Sequence, residues 1–168
     1  MIYVSKYSSP LGKITLASEE DALVGLWFDG QKHFGSTLTS DYKEIYTPVL
    51  EEASFWLNIY FSGKVPDFLP KLKYGRSDFQ KIVCDCMLEI PYGKTTTYGE
   101  IALSVAKSLG LEKMSAQAVG GAVGRNPISI IIPCHRVVGA RGKLTGYAGG
   151  IDKKLKLLEL EKTNLGKA

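Results

Sequence analysis

The sequence predicts an α+β fold: a small N-terminal antiparallel sheet with one helix over residues 1–75, then a mostly α-helical unit with a helix-turn-helix over residues 76–168. Three observations carry this prediction. Apolar residues recur with period two in the first thirty or so positions and with helical spacing from about residue 48 onward. The joints between the early strands are too short for parallel crossovers. In the second half, two short helical stretches are joined by a turn containing Gly110.

Ile2, Val4 and Lys6 alternate with Tyr3, Ser5 and Tyr7, and Ile14 and Leu16 alternate with Thr15 and Ala17. Between them, Ser8 to Gly12 reads as a turn, with proline and glycine where a turn needs them. Leu23 to Phe28 reads as a third strand closed by Asp29-Gly30. Thr47-Pro48 opens a helix carrying Leu50, Ala53, Trp56, Leu57, Tyr60 and Phe61, and Gly63 ends it. Residues 63–76 read as a connecting segment, and His33 as a surface histidine.

Ser77 to Gln80 has the form of a capping box, and Phe79, Ile82, Val83, Cys86 and Ile90 share a face of the helix behind it. Cys86 is thus expected in the core and Cys84 elsewhere. Two residues apart on a helix, their sulfurs diverge, which argues against a metal site. Thr97 to Glu100 opens a helix with Ile101, Ala102, Val105 and Leu109 on its apolar face. Ser115 caps another, Ala116 to Gly124, with three glycines in nine positions. Glycine weakens a helix by roughly 1 kcal/mol relative to alanine, so a second backbone must approach closely. That backbone belongs either to a neighbouring helix or to a groove into which this helix presses. The loop from Gly139 to Gly150 carries Tyr147 as its one large apolar surface. A last helix starts near Ile151 with Leu155 and Leu158 on its buried stripe. Around the wheel Glu161 falls between Leu157 and Leu158, so it either meets a partner in the core or ends the helix in water.

The length suits one domain or two small ones. No apolar run approaches the ~20 residues of a membrane span, and Met1 to Val4 does not open a signal peptide. Three cysteines without framework spacing point to a reducing setting, cytoplasmic or nuclear. Residues 1–76 hold 8 Lys/Arg against 9 Asp/Glu, and residues 77–168 hold 13 against 8. The basic half fits a polyanionic partner, and equally a solvated surface. Without a strand-to-helix phosphate motif, a nucleotide-triphosphate loop is not expected.

The chemistry is concentrated in Asn126 to Val138. Ile128, Ile130, Ile131 and Ile132 read as carrying the backbone out of the core to Pro133, where Cys134, His135 and Arg136 follow. A thiol needs a base or positive surroundings to become a nucleophile. His135 supplies a base, and a carboxylate such as Glu161 would orient its ring. Because Cys134 and His135 are adjacent in sequence, a bridging water or a sharp turn is expected rather than direct contact. Asn126, before Pro127, is placed to brace the bend.

These residues resemble the active-site signature of the O6-alkylguanine-DNA alkyltransferases, also called methylated-DNA–protein-cysteine methyltransferases. The resemblance runs through Gly124-Arg125-Asn126-Pro127 and Pro133-Cys134-His135-Arg136-Val137-Val138. It extends to Pro91-Tyr92-Gly93, Thr97-Tyr98, Ala118-Val119-Gly120-Gly121, Tyr147 with Gly149-Gly150, and Glu161. Ser9 to Gly12 and Tyr60 to Gly63 extend it loosely into the first half. The resemblance implies a ribonuclease-H-like first domain and a winged-helix-like second one. It implies direct repair of double-stranded DNA by a monomer that docks a helix-turn-helix in the minor groove and flips the damaged nucleotide. The O6-alkyl group of guanine, or the O4-alkyl group of thymine, passes irreversibly to Cys134 with no cofactor or metal.

Carried over by position, His135 is the water-mediated base, Glu161 its orienting partner and Asn126 the brace. Tyr98, Gln117, Arg125, Ser115 and Gly120 would meet DNA, and Tyr147, Ala148, Gly149 and the backbone of Val137 would line the pocket. The chain departs from its relatives in Gln117 where many have an arginine, Ala148 where some have serine, and Ser129 where others have proline. Two other classes stay open on the residues alone. One is a binding-only lesion sensor, which in this family lacks the acceptor cysteine. The other is a thiol hydrolase using Cys134, His135 and Glu161.

Overall fold

The computed structural model describes residues 1–164. Three strands, β1 (Ile2–Ser9), β2 (Gly12–Glu19) and β3 (Ala22–Phe28), form an antiparallel meander. A two-residue strand, β4 (Lys43–Glu44), adds itself parallel to β1, giving the order β3-β2-β1-β4. Nothing in the alternation of these two charged residues marks them as a strand; β4 exists because the unpaired edge of β1 lies beside it.

The helix α1 (Pro48–Phe61) packs on one face of the sheet. Its cap residue is Thr47, as the sequence suggests, but the threonine hydroxyl pairs with Ser18 at 2.9 Å instead of capping the helix. The other face of the sheet holds Ile2, Val4, Ala17, Val24 and Trp27 under Leu38. Gly25 makes room for Trp27 there, since a Cβ at Gly25 would sit 2.0 Å from the indole ring.

The second half is built from α2 (Asp78–Leu88), α3 (Tyr98–Leu109), α4 (Ala116–Gly124) and α5 (Ile151–Thr163). A short parallel pair, β5 (Thr96–Thr97) with β6 (Val137–Val138), ties the start of α3 to the thiol segment. Ser77, Thr97 and Ser115 cap their helices by accepting from Gln80, Glu100 and Ala118, and Gly110 ends α3 in the left-handed conformation. Among the described residues no helix is long and apolar enough to cross a membrane.

Two helix faces differ from the sequence reading. On α2 the buried residues are Val83, Cys84 and Met87, while Cys86 is only half-buried. The helix is turned about one residue from the expected phase because Cys84 faces the thiol segment. On α5 the buried residues are Lys154, Leu157 and Glu161, with Leu155 41% exposed and Leu158 half-buried. There Lys154 and Glu161, each with polar partners beneath the helix, share the inward face with Leu157 and turn Leu155 and Leu158 off it.

One apolar core joins both halves, running from Ile14, Leu26 and Leu57 through Val83, Val105 and Val119 to Ile130 and Leu157. The free edge of β3 is covered partly by the connecting segment and partly by residues 127–129 of the second half. Leu23 exchanges backbone hydrogen bonds with Lys71 and Lys73, and Leu26 with Pro127 and Ser129, at 2.8–3.0 Å. Two segments expected to be a plain connection and an exit from the core thus act as strand partners. Ile128, Ile130, Ile131 and Ile132 never leave the core; all four are buried.

Candidate active site

The thiol segment is held by its own backbone and by Asn126. The Asn126 amide donates to the Ile132 carbonyl at 2.8 Å, while its oxygen accepts from the Ile128 N–H at 3.0 Å. Ile130 sits in the left-handed region, at φ 68°, where a β-branched residue is rarely found. That conformation is held from both sides: Ser129 N–H bonds Leu26 C=O at 3.0 Å, and Ile132 N–H bonds Ile128 C=O at 3.0 Å. Beyond Pro133 the chain makes one turn of 3-10 helix, Cys134–Arg136. The sharp turn thus replaces extended backbone at the adjacent cysteine and histidine.

Cys134 is 5% exposed. Burial pushes its thiol above the usual cysteine range; the Asn126 amide, the positive charge of Lys154 and the Tyr147 hydroxyl oppose this only in part. His135 is fully buried, and burial holds its pKa below the ordinary 6.5 despite Glu161 beside it. Its Nε2 lies 2.5 Å from Glu161. A neutral ring bonded to a carboxylate must carry its proton on Nε2, which leaves Nδ1 as a bare lone pair. Nδ1 is buried and has no protein partner among the described residues.

Glu161 is 1% exposed and well supplied with donors. Besides His135 it accepts from the Tyr60 hydroxyl (2.7 Å), the Gly93 N–H (3.0 Å) and two nitrogens of Arg136 (2.8 and 3.1 Å). Burial alone would raise its pKa, but the hydrogen bonds and charges of His135 and Arg136 outweigh it and bring the carboxyl down to about 2. Arg136 also donates to Ile90 C=O at 2.7 Å and lies 5.6 Å from the centre of the Tyr92 ring.

Above the thiol lies a cavity of about 700 Å³, with Cys134, Tyr98, Gln117, Gly120, Arg125, Tyr147 and Ala148 among its walls. Val137 and Gly149 do not line it, and neither does Ser115. The Val137 carbonyl is taken by Lys154 Nζ at 2.7 Å, and Gly149 packs against Phe28 and Tyr147. The Tyr98 hydroxyl accepts from Thr145 at 3.1 Å, so its own proton remains free for a ligand. The glycines of α4 do not serve packing against neighbouring helices. A Cβ at Gly121 or Gly124 would meet nothing within 4 Å, and one at Gly120 only the Tyr98 ring at 3.7 Å. Among the described residues no cluster of three His, Cys, Asp or Glu side chains could hold a metal.

Several contributors escaped the sequence reading, among them Lys154, Tyr60, Gly93 and Arg136 around Cys134, His135 and Glu161, and Lys32, His33, Thr145 and Gly146 on the cavity wall. For Lys154 a signal was available, since it falls on the same helical face as Leu157 and Glu161. For Tyr60 there was none, because it reaches Glu161 across 101 positions of sequence.

The chain matches two family models, "6-O-methylguanine DNA methyltransferase, ribonuclease-like domain" over residues 2–74 and "6-O-methylguanine DNA methyltransferase, DNA binding domain" over residues 78–163. It is 47% identical over 165 residues to a methylated-DNA–protein-cysteine methyltransferase of Methanosarcina barkeri, covering 98% of this chain and 99% of that one. A protein of the same name from Mycobacterium tuberculosis is 43% identical over 166 residues, with 97% and 94% covered. The crystal structure of Mycobacterium tuberculosis OGT in complex with DNA superposes with a TM-score of 0.82 at 41% identity, over 96% of this chain and 94% of that one. With both halves matched and nearly the whole length aligned, the chain belongs to the 6-O-methylguanine DNA methyltransferase family.

Proposed function

We propose that this chain repairs DNA directly, moving the O6-alkyl group of a flipped guanine onto the sulfur of Cys134, once per molecule and without cofactor. The observation that carries the reading is the cavity joining Cys134 to the glycine-bearing face of α4. Gln117 is the one long side chain of α4 on that face, too little for reading bases in the major groove, and the glycines beside it suit close approach to a minor groove. Extrusion of the nucleotide is required because O6 lies on the major-groove edge, away from a helix in the minor groove, and a thiol at the bottom of a cavity cannot reach it in a stacked duplex.

In this reading the Cys134 proton passes through a water to Nδ1 of neutral His135, and Glu161 stabilises the resulting imidazolium. The thiolate attacks the alkyl carbon; the carbon–sulfur bond forms as the carbon–O6 bond breaks, and the electron pair stays on guanine. Tyr98 donates to guanine N3 and offsets that charge. Tyr147 and Ala148 contact the base, and Asn126 fixes the thiol segment. Gln117, Arg125, Gly120 and Ser115 meet the duplex, with the chain acting as a monomer. O4-alkylthymine is a second substrate.

The test is mass spectrometry after mixing the protein with excess duplex containing one O6-methylguanine, and separately O4-methylthymine. One methyl group per chain, on the peptide of Cys134 and absent from Cys134→Ala, is the expected result. Lesion binding without a mass change would replace the reading with that of a sensor. Repeated turnover on esters or peptides would replace it with that of a hydrolase.

A further inference from the structure

The crest of α4 at Gly121 is flanked by clefts on both sides. One leads to Cys134. The other, about 570 Å³, lies between α4, the start of α2 and the segment joining the two halves. His33, Gly121 and Arg125 border both. Beside apolar lining from Ile2, Val24, Phe79 and Ala122, the second cleft presents Arg76 and Arg125, Ser36, and the Lys73–Glu19 ion pair (2.9 Å), with the Thr37 and Ser77 hydroxyls bonded to Val24 C=O and Gln80 N–H. Among the described residues neither arginine lies within ion-pair distance of a carboxylate.

The two arginines are also held together. Gln80 accepts from the Arg76 N–H at 3.0 Å through its oxygen and donates to the Arg125 carbonyl at 3.1 Å through its nitrogen. Gly75 packs this segment tightly on α2: its φ is 93°, and a Cβ there would lie 2.7 Å from Lys81. Two unneutralised guanidiniums therefore border one cleft on a backbone bridged by a single amide.

A helix laid in a minor groove has a sugar–phosphate backbone on each flank. The Cys134 flank takes the strand that carries the lesion. We propose that the second cleft binds the backbone of the opposite, undamaged strand, with Arg76 and Arg125 as phosphate ligands and Gln80 as their positioning residue. This rests on the docking of α4 in the Proposed function. It makes the segment between the two halves part of the DNA-binding surface and gives the protein a reason to prefer duplex over single strand.

The experiment measures the affinity of the full chain for a duplex and for the single strand carrying the same O6-methylguanine, across a salt series. In Arg76→Gln the duplex-to-single-strand affinity ratio falls about 3–10-fold at 0.1 M salt, and the duplex slope of log K against log salt becomes shallower by about 0.9. Arg76→Lys restores the slope. Gln80→Ala lowers the ratio with little change in slope, because no charge is lost. A ratio equal to wild type in Arg76→Gln, with the fold intact by thermal melting, would overturn the proposal. Failure of the parent reading shows differently, as a wild-type protein that transfers no methyl group to Cys134 whatever its ratio.

Discussion

Glu161 is the residue on which the site's electrostatics turn. Accepting from Tyr60, Gly93, His135 and Arg136, it has no reason to take a proton at neutral pH. Its folded pKa of about 2 lies below the 4.5 of an unperturbed glutamate, so the unfolded chain takes up the proton first as pH falls. The stability it contributes is complete above pH 4.5 and disappears as pH drops through the folded value. The shift corresponds to about 3 kcal/mol. Glu161→Gln leaves Arg136 buried against a neutral amide. We expect it to cost about 3–5 kcal/mol, to flatten this acid transition in urea melts at pH 2–5, and to suppress methyl transfer. Tyr60→Phe removes one donor and should cost about 1–2 kcal/mol while slowing transfer from the far side of the domain boundary. His135 gives a kinetic counterpart. Its pKa is depressed by burial, so the free base persists below pH 6.5. Single-turnover rates should hold through neutrality, with the acid limb lying below that pH; a limb above it would contradict a neutral, buried base.

At the scale of elements, α4 is the helix that gives up its own stability. Alanine would fit at Gly121 and Gly124 without a clash. Each substitution should raise thermal stability by about 0.5–1 kcal/mol, yet weaken DNA binding, because the added methyl stands where the proposed docking brings the duplex. Opposite signs in melting and in anisotropy titration are the expected result; parallel gains in both would mean that the glycines do not face DNA. Much of this level was legible beforehand. Caps at Ser77, Thr97 and Ser115, the stop at Gly110 and the three meander strands follow from local rules and lie where those rules put them. The phases of α2 and α5 did not follow. Cys84 and Lys154 face inward because of what lies across from them, the thiol segment in one case and the Val137 carbonyl in the other.

For the whole molecule, the decisive feature is that the thiol segment completes the N-terminal sheet. Its backbone pairs with Leu26, its isoleucines fill the shared core, and Cys134 sits at the end of that buried run. Cys134 borders the cavity of about 700 Å³, yet it is only 5% exposed, so most of the space around the sulfur is already taken by protein. Adding a methyl group to buried Cys134 overpacks the segment at a cost of about 1–3 kcal/mol, which for a chain of this size lowers the melting temperature by about 2–12 °C. Differential scanning fluorimetry before and after reaction with lesion DNA measures this. An unchanged or higher melting point would mean that the segment relaxes freely around the new group.

The sequence by itself determined the local chemistry: which residues start and stop helices, where strands alternate, and which thiol, imidazole and amide stand within a few positions of one another. These depend on neighbours in the chain, and Asn126, Cys134 and His135 could be named from them. Only the tertiary structure decided what depends on distant partners. The edge of β3 recruited residues 71–73 and 127–129 because unpaired backbone must be satisfied. Tyr60 and Arg136 found Glu161 because a buried carboxylate needs donors from wherever the fold brings them. Glycine-bearing α4 was left open between two clefts, with space there that no local rule could foresee.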